Sequence, residues 1–345
     1  MKSLNSLKFS LPLYPDLEPG YITDELIPYL IENKENIHDI YFTTRMPPFE
    51  QDAMGTIFNE EDIMSMIGNA LIIQEQTGIT ISAVFNNKFI SPSYENMVIF
   101  INHFKMLYSI GVKSVTIPFT SWLMFGDIQK EFPDLIIKNT VLHALDEPRQ
   151  VYDAFMSGFE YVNLDRNLMR NQDKLKLIDA ARKAAEIKLG KKLQLSLLYN
   201  ENCVGNCPIQ EEHFLYNVHN DSKLQPNTFF KSKMNCISCS EWEKEDKAYK
   251  FKKSNVIYDQ DFINGLDMID VFKLHGRESK NVFTNSLGII ERFRLGLPIY
   301  DEFHMLKDKL SIDNAIFTDW IEYTKNCNFD CWKCERCDDL TKWKH

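Results

Sequence analysis

The sequence predicts an α/β fold: a (β/α)8 barrel of the TIM type with a long cysteine-bearing insertion after the seventh strand and a cysteine-rich C-terminal tail. Three observations carry the prediction. Eight short β-branched or aromatic runs alternate with amphipathic stretches, the pattern of a parallel sheet covered by helices. No glycine-rich phosphate fingerprint follows the first run, which weakens an open dinucleotide-binding sheet. The length of 345 residues suits a single barrel with additions.

The strand patterns lie at Leu7–Leu11, Ile37–Thr43, Ile79–Phe85, Val112–Phe119 and Ile136–Leu142, then at Tyr161–Leu164, Leu193–Tyr199 and Ile269–Leu274. Between them, Tyr94–Ile110 places Met97, Phe100, Ile101, Phe104 and Leu107 at the three-and-four spacing of one buried helical face. Lys174–Leu189 repeats this with Leu175, Ile178, Ala181, Ala185 and Leu189, and Gly190 is a natural stop. The connection from Tyr199 to Ile269 is abnormal at about seventy residues. The predicted organisation is therefore a barrel domain over 1–296, including the insertion at 200–268, and a metal-binding tail over 297–345.

Composition is ordinary for a globular protein, with 44% apolar and 26% charged residues. No apolar run approaches the ~20 residues that span a bilayer. Residues Met1 to Tyr14 alternate in polarity and do not form a signal peptide, so a cytoplasmic location is expected. The formal charge of −10 disfavours RNA as a partner, without excluding a local basic cleft.

All eight cysteines lie beyond residue 200, in three clusters. Tight clusters without a signal peptide read as metal ligands rather than as a disulfide framework. Cys203 and Cys207 follow the seventh strand, and Pro208 suits the first turn of a helix, where N–H groups favour a thiolate at Cys207. Cys236 and Cys239 come from the same loop, and these four thiolates suit either a [4Fe–4S] cluster or a tetrahedral zinc. The bland alternative is buried structural cysteine. In the tail, Cys327, Cys331, Cys334 and Cys337 fall within eleven residues. The first three share the Cys-x3-Cys-x2-Cys spacing of radical S-adenosylmethionine enzymes, but Cys337 would fill the open iron and the motif stands at the wrong end of the barrel. Zinc suits this set as well.

Other candidates follow strand ends, where barrel enzymes carry their chemistry. Lys273 and Arg277 stand at the mouth of the eighth strand, as an active-site or anion-binding pair. Asp165, Arg166 and Arg170 follow the sixth strand, for substrate binding or a structural ion pair. Asn86 and Asn87 leave the third strand and Arg45 the second, where loop capping is the simpler role. His213 follows the Cys207 turn and, taken alone, is more often a satisfied histidine than a ligand.

Several blocks in order then resemble the collagenase-like peptidase U32 family, whose better-understood members are iron–sulfur proteins. They are Asn163-Leu-Asp-Arg-Asn-Leu-Met-Arg170, Asn200-Glu-Asn-Cys-Val-Gly-Asn-Cys-Pro208 followed by His213, Cys236-Ile-Ser-Cys239, and Asp270-Val-Phe-Lys-Leu-His-Gly-Arg277. The resemblance implies a barrel with a [4Fe–4S] cluster and, in the family's ubiquinone-biosynthesis and RNA-modifying members, oxygen-independent hydroxylation with prephenate as oxygen donor. Lys273, Arg277, Arg166 and His213 are then the candidate catalytic residues, with the three cations as anchors for a dicarboxylate. One or two [4Fe–4S] clusters, zinc at one site and an electron-transfer partner are the expected cofactors and partner. Cysteine spacing tighter than in the hydroxylases, and the added tail cluster, depart from that pattern and imply a second metal site; because the tail could fold back over the barrel mouth, mixed ligation by loop and tail cysteines stays open. The alternatives are a peptidase, for which no Ser–His–Asp or H-E-x-x-H arrangement is visible, and a zinc-stabilised binding module.

Overall fold

Eight parallel strands whose ends all point one way close into a cylinder. In the computed structural model, residues 7–44, 46–49, 60–201, 203–211, 246–253, 256, 258, 260–277, 279–299 and 301–342 are described. The strands are β1 Lys8–Pro12, β2 Ile37–Thr43, β3 Thr80–Val84, β4 Ser114–Ile117, β5 Ile136–Asn139, β6 Tyr161–Asn163, β7 Gln194–Leu198 and β8 Val271–Lys273. They pair in sequence order, and β1 closes the barrel on β8 with Lys8 opposite Val271 and Ser10 opposite Lys273. All eight expected strands are present, most of them trimmed by a residue or more. β4, for example, ends before Pro118, which lacks the N–H a ladder needs.

Helices fill the crossovers: α1 Ile27–Glu32, α2 Glu60–Thr77, α3 Tyr94–Ser109, α4 Asp127–Glu131, α5 Pro148–Ser157, α6 Gln172–Leu189, α7 Gln260–Gly265 and α8 Lys280–Arg294. α3 starts where the Ser93 hydroxyl accepts the Asn96 N–H, and buries Met97, Phe100, Phe104 and Leu107. Phe100 meets Phe85, just past β3, in a T-shaped contact at 5.0 Å, so much of the aromatic content is core. α6 starts on Asn171 and stops at Gly190, whose φ of +65° falls in the left-handed region glycine tolerates. Beyond the barrel, α9 Glu302–Leu310, α10 Asn314–Thr324 and α11 Arg336–Lys342 carry the tail. Trp320 gathers Phe251, Phe303 and Phe317 at 5.2–5.6 Å into a small core of its own. Among the described residues, no helix is long and apolar enough to cross a membrane.

The barrel interior is not wholly apolar. Asp39 of β2 and Lys138 of β5 form an ion pair, and because these strands are not neighbours the pair must cross the inside of the barrel. Asp39 is fully buried, and Lys138 lies 4.4 Å from the Tyr161 ring centre. Burial opposes ionisation of Asp39, but Lys138 and His38 outweigh it and hold its carboxyl well below the usual carboxylate range. Such a pair contributes little net stability, yet losing one partner leaves an uncompensated buried charge. Lys138→Met is therefore expected to cost about 3–5 kcal/mol. The double variant Asp39→Leu/Lys138→Met should recover most of it, as read from urea unfolding. A single variant of near-native stability would contradict the pairing.

Candidate functional site

Parallel strands put every C-terminal strand end on one face, and β8 delivers Lys273 there. Across the β8–β1–β2 seam lies Tyr41, whose hydroxyl donates to the Leu274 carbonyl at 2.6 Å. Lys273 Nζ stands 4.5 Å, and the Arg277 guanidinium carbon 5.5 Å, from the centre of its ring. Arg277 Nη1 donates to Thr43 Oγ1 at 2.6 Å. Gly276 lets this turn approach α8, since a Cβ there would stand 3.1 Å from Phe283 Cα. Burial, with the charges of Arg277 and Lys138 nearby, pulls the Lys273 ammonium down to about 7. Two cations of different temper thus share one aromatic platform: a permanently charged fork, and an amine that exchanges its proton near neutrality.

The loop after β7 is fastened beside them. Asn200 donates through Nδ2 to the His275 carbonyl at 3.1 Å and accepts the His275 N–H at 2.7 Å. The turn after β6, Arg166–Arg170, is capped by Asp165, whose Oδ1 accepts the Asn167 N–H at 2.7 Å. Burial raises the Asp165 carboxyl. Arg166, only 2% exposed, pairs with Glu201 at 2.5 Å and lies against Cys203. Burial works against its charge, but Glu201, Cys203 and Asp165 outweigh that cost. Asn206, at φ +52°, donates its N–H to Asn167 Oδ1 at 3.2 Å. After Cys207 the chain turns through Pro208 and Ile209, and Gln210 N–H bonds the Cys207 carbonyl at 3.2 Å. Lys88, after β3, reaches Glu211 at 2.9 Å.

The same β6 turn also receives the tail. Arg170 accepts the Asn328 N–H on its carbonyl at 3.3 Å, and Asn171 Nδ2 donates to Asn328 Oδ1 at 2.8 Å. Its guanidinium donates to the Phe251 carbonyl at 2.9 Å, points Nη1 at Cys327 Sγ at 3.7 Å, and lies 5.1 Å from the Phe329 ring centre. That ring in turn covers Gly205, where a Cβ would overlap it. Gly205 sits between Cys203 and Cys207, and Phe329 between Cys327 and Cys331, so the two cysteine segments abut.

Cys327, Cys331, Cys334 and Cys337 line one pocket with Arg170, Lys252 and Asp330. Burial pushes the Cys337 thiol up to about 11 and raises Cys331, against the opposing pull of Arg170 on both and of Lys252 on Cys331. Among the described residues, no group of three or more His, Cys, Asp or Glu side chains is arranged to hold a metal ion. By residue type, four cysteines are the donor set of a [4Fe–4S] cluster or of a zinc ion. Four thiols on one pocket wall, flanked by cations, are a donor set of the kind such a group takes.

The structure therefore brings Lys273 and Arg277 together, sets Arg166 beside Cys203, and seats the tail cysteines against Arg170. Cys236, Cys239, His213 and Arg45 lie outside the described residues. Asn87 caps its loop, accepting the Phe89 N–H at 3.0 Å, while Asn86 accepts from the Thr140 hydroxyl. Tyr41 was missed at sequence level, because an aromatic residue in a strand reads as core. The Asp39–Lys138 pair was missed too, although two charges inside strand patterns were a visible signal.

No family model matches the chain. An uncharacterized protease of Methanocaldococcus jannaschii, MJ1657, is 28% identical over 171 residues, which cover 46% of this chain and 47% of the relative. The match thus spans about half the length of that curated relative. Among solved structures, the U32 peptidase Mk0906 aligns at 11% identity over 78% of this chain and 93% of its own, with a TM-score of 0.49. A 2,3-dimethylmalate lyase of the PEP mutase/isocitrate lyase superfamily aligns at 10% identity over 92% and 94%, with a TM-score of 0.41. The likeness to a protein named as a protease stands beside the motif blocks at Asn163–Arg170, Asn200–Pro208 and Asp270–Arg277, on which the U32 resemblance rests.

The Gly205–Phe329 contact yields a direct test of how the tail is seated. Gly205→Ala should cost about 1–3 kcal/mol through overpacking. Phe329→Ala in the same chain should relieve the overlap, as read by thermal unfolding and protease sensitivity of the tail. Native behaviour of Gly205→Ala would show that the two segments do not touch.

Proposed function

We propose that this chain is a barrel enzyme that binds a small carboxylate-bearing molecule at its mouth and modifies its substrate by an iron–sulfur-dependent redox step, oxygen-independent hydroxylation being the leading form. The observation that carries this reading is the convergence of Lys273 and Arg277 on Tyr41, one loop away from Arg166 and Cys203. Cys203 and Cys207, with Cys236 and Cys239, would hold the cluster. Bound there, a [4Fe–4S] cluster supplies one-electron redox chemistry.

The chain's own residues account for binding. A guanidinium fork meets a carboxylate with two parallel N–H donors, a geometry open to Arg277 once it exchanges its Thr43 contact for substrate. Lys273 adds charge when protonated and, near neutrality, is suited to give or take a proton at Nζ. Asn200 and Ser286 hold the backbone after β8, where Ser286 Oγ donates to the His275 carbonyl at 2.6 Å, so the two cations are offered from a fixed turn.

A peptidase is the second reading, favoured by the name of the Methanocaldococcus jannaschii relative. A cysteine peptidase would need a thiolate paired with an imidazole. The contacts seen at the described tail cysteines are instead Arg170 at Cys327, Tyr323 at Cys334, and Trp320 and the Phe251 carbonyl at Cys337.

Dicarboxylate binding tests the proposal. Arg277→Ala should weaken it by about 1.5–3 kcal/mol, the worth of hydrogen bonds to charged groups. Unchanged binding would remove Arg277 from the site. The pH dependence has a definite sign. Lys273 is charged below about 7 and neutral above, so affinity should fall as pH rises through that value and Lys273→Met should flatten the profile. Calorimetric titration across about pH 5.5 to 8.5, roughly one and a half units either side of the expected transition, checks both.

A further inference from the structure

We propose that Cys327, Cys331, Cys334 and Cys337 form a metal–thiolate centre of their own, separate from the loop cysteines, and that the buried Arg170 is its positioning residue. The inference rests on the reading of the cysteines as metal ligands, and extends it to the tail. Four sulfurs line one pocket, and three of them have a polar neighbour close by. Arg170 Nη1 points at Cys327 at 3.7 Å, Trp320 Nε1–H donates to Cys337 at 3.4 Å, and the Tyr323 hydroxyl lies 3.3 Å from Cys334. A donor aimed at sulfur favours thiolate over thiol, and outer hydrogen bonds of this kind orient metal ligands and tune what they hold.

The charges agree. Arg170, 1% exposed, and Lys252, half-buried and held by Asp246 at 2.7 Å and Asp338 at 3.3 Å, are the cations on the pocket wall. A buried guanidinium that points at sulfur, besides bonding the Phe251 carbonyl, would offset the charge of a metal-bound thiolate set. The backbone agrees as well. Asn328 and Phe329 both take left-handed conformations, φ +51° and +57°, which fold the three residues between Cys327 and Cys331 into a tight loop. A bulky residue at such an angle is held there by its surroundings, here Arg170 and Gly205. Arg170 thereby links three things: the β6 turn that carries it, the Phe251 carbonyl, and the first tail cysteine.

The test uses the full chain isolated without oxygen, with iron, acid-labile sulfide and zinc counted per chain. Cys331→Ser/Cys334→Ser should remove one complement of metal, and Cys203→Ser/Cys207→Ser a different one. Arg170→Met should hold the tail metal about 10–100-fold less tightly against a chelator. Arg170→Lys, which keeps the charge, should recover most of that retention. Should Arg170→Met not fold, Trp320→Phe removes the donor to Cys337 while keeping a ring, and weaker metal retention is again expected. Native metal content in the tail double variant overturns the separate centre. Native retention in Arg170→Met, or in Trp320→Phe where that is the variant used, overturns the positioning role. If the loop double variant changes nothing while the tail variant loses metal, the loop reading fails and the tail centre stands.

Discussion

Closing the sheet through β1 and β8 is the constraint on which the mouth depends. With Ser10 opposite Lys273, the last strand is locked beside the first, and the second lies one strand further on. That adjacency brings Tyr41 under two cations whose sequence positions are more than two hundred residues away. An open sheet of the same strands would leave β8 at one edge and β2 near another, and no such platform would form. The buried Asp39–Lys138 pair adds a second tie across the interior, linking strands that never hydrogen-bond to each other. Its net contribution to stability is small, since desolvating both charges offsets most of their attraction.

The short turn after β6 then organises both cysteine segments. Arg166 at its start faces Cys203 and Glu201, and Arg170 at its end faces Cys327 and Phe251. Both arginines are buried, a costly placement that only compensating negative groups or carbonyls can sustain. Two such residues four positions apart, each turned toward a different cysteine segment, make the turn the junction of barrel, loop and tail. The contact of Gly205 with Phe329 completes that junction from the other side.

Much of this was legible beforehand. Alternating strand and helix patterns placed all eight strands, because parallel barrel strands are short apolar runs and their helices show one buried stripe. Lys273 stood out because a lysine ending a barrel strand is a poor core filler. What could not be read was pairing at long range. Nothing local in Tyr41 marks it as a platform, and nothing local in Arg170 says that its partner is Cys327 rather than a substrate. Asp39 and Lys138 were visible as charges inside strands, but their meeting depends on the width and stagger of the closed barrel. The seating of the tail on the β6 turn depends likewise on folding, through Asn326 and Asn328 bonding Gln172, Asn171 and Arg170.

Whether the barrel mouth of this protein is an iron–sulfur site is answered by metal analysis. The measurement is iron, acid-labile sulfide and zinc per chain in protein made without oxygen, alongside the visible absorption spectrum. Iron with matching sulfide is expected, about four of each for every [4Fe–4S] cluster present, with a broad thiolate-to-iron absorption. Zinc at both cysteine sets with neither iron nor sulfide would contradict the iron–sulfur reading, and would leave a zinc-stabilised barrel whose cysteines serve structure alone.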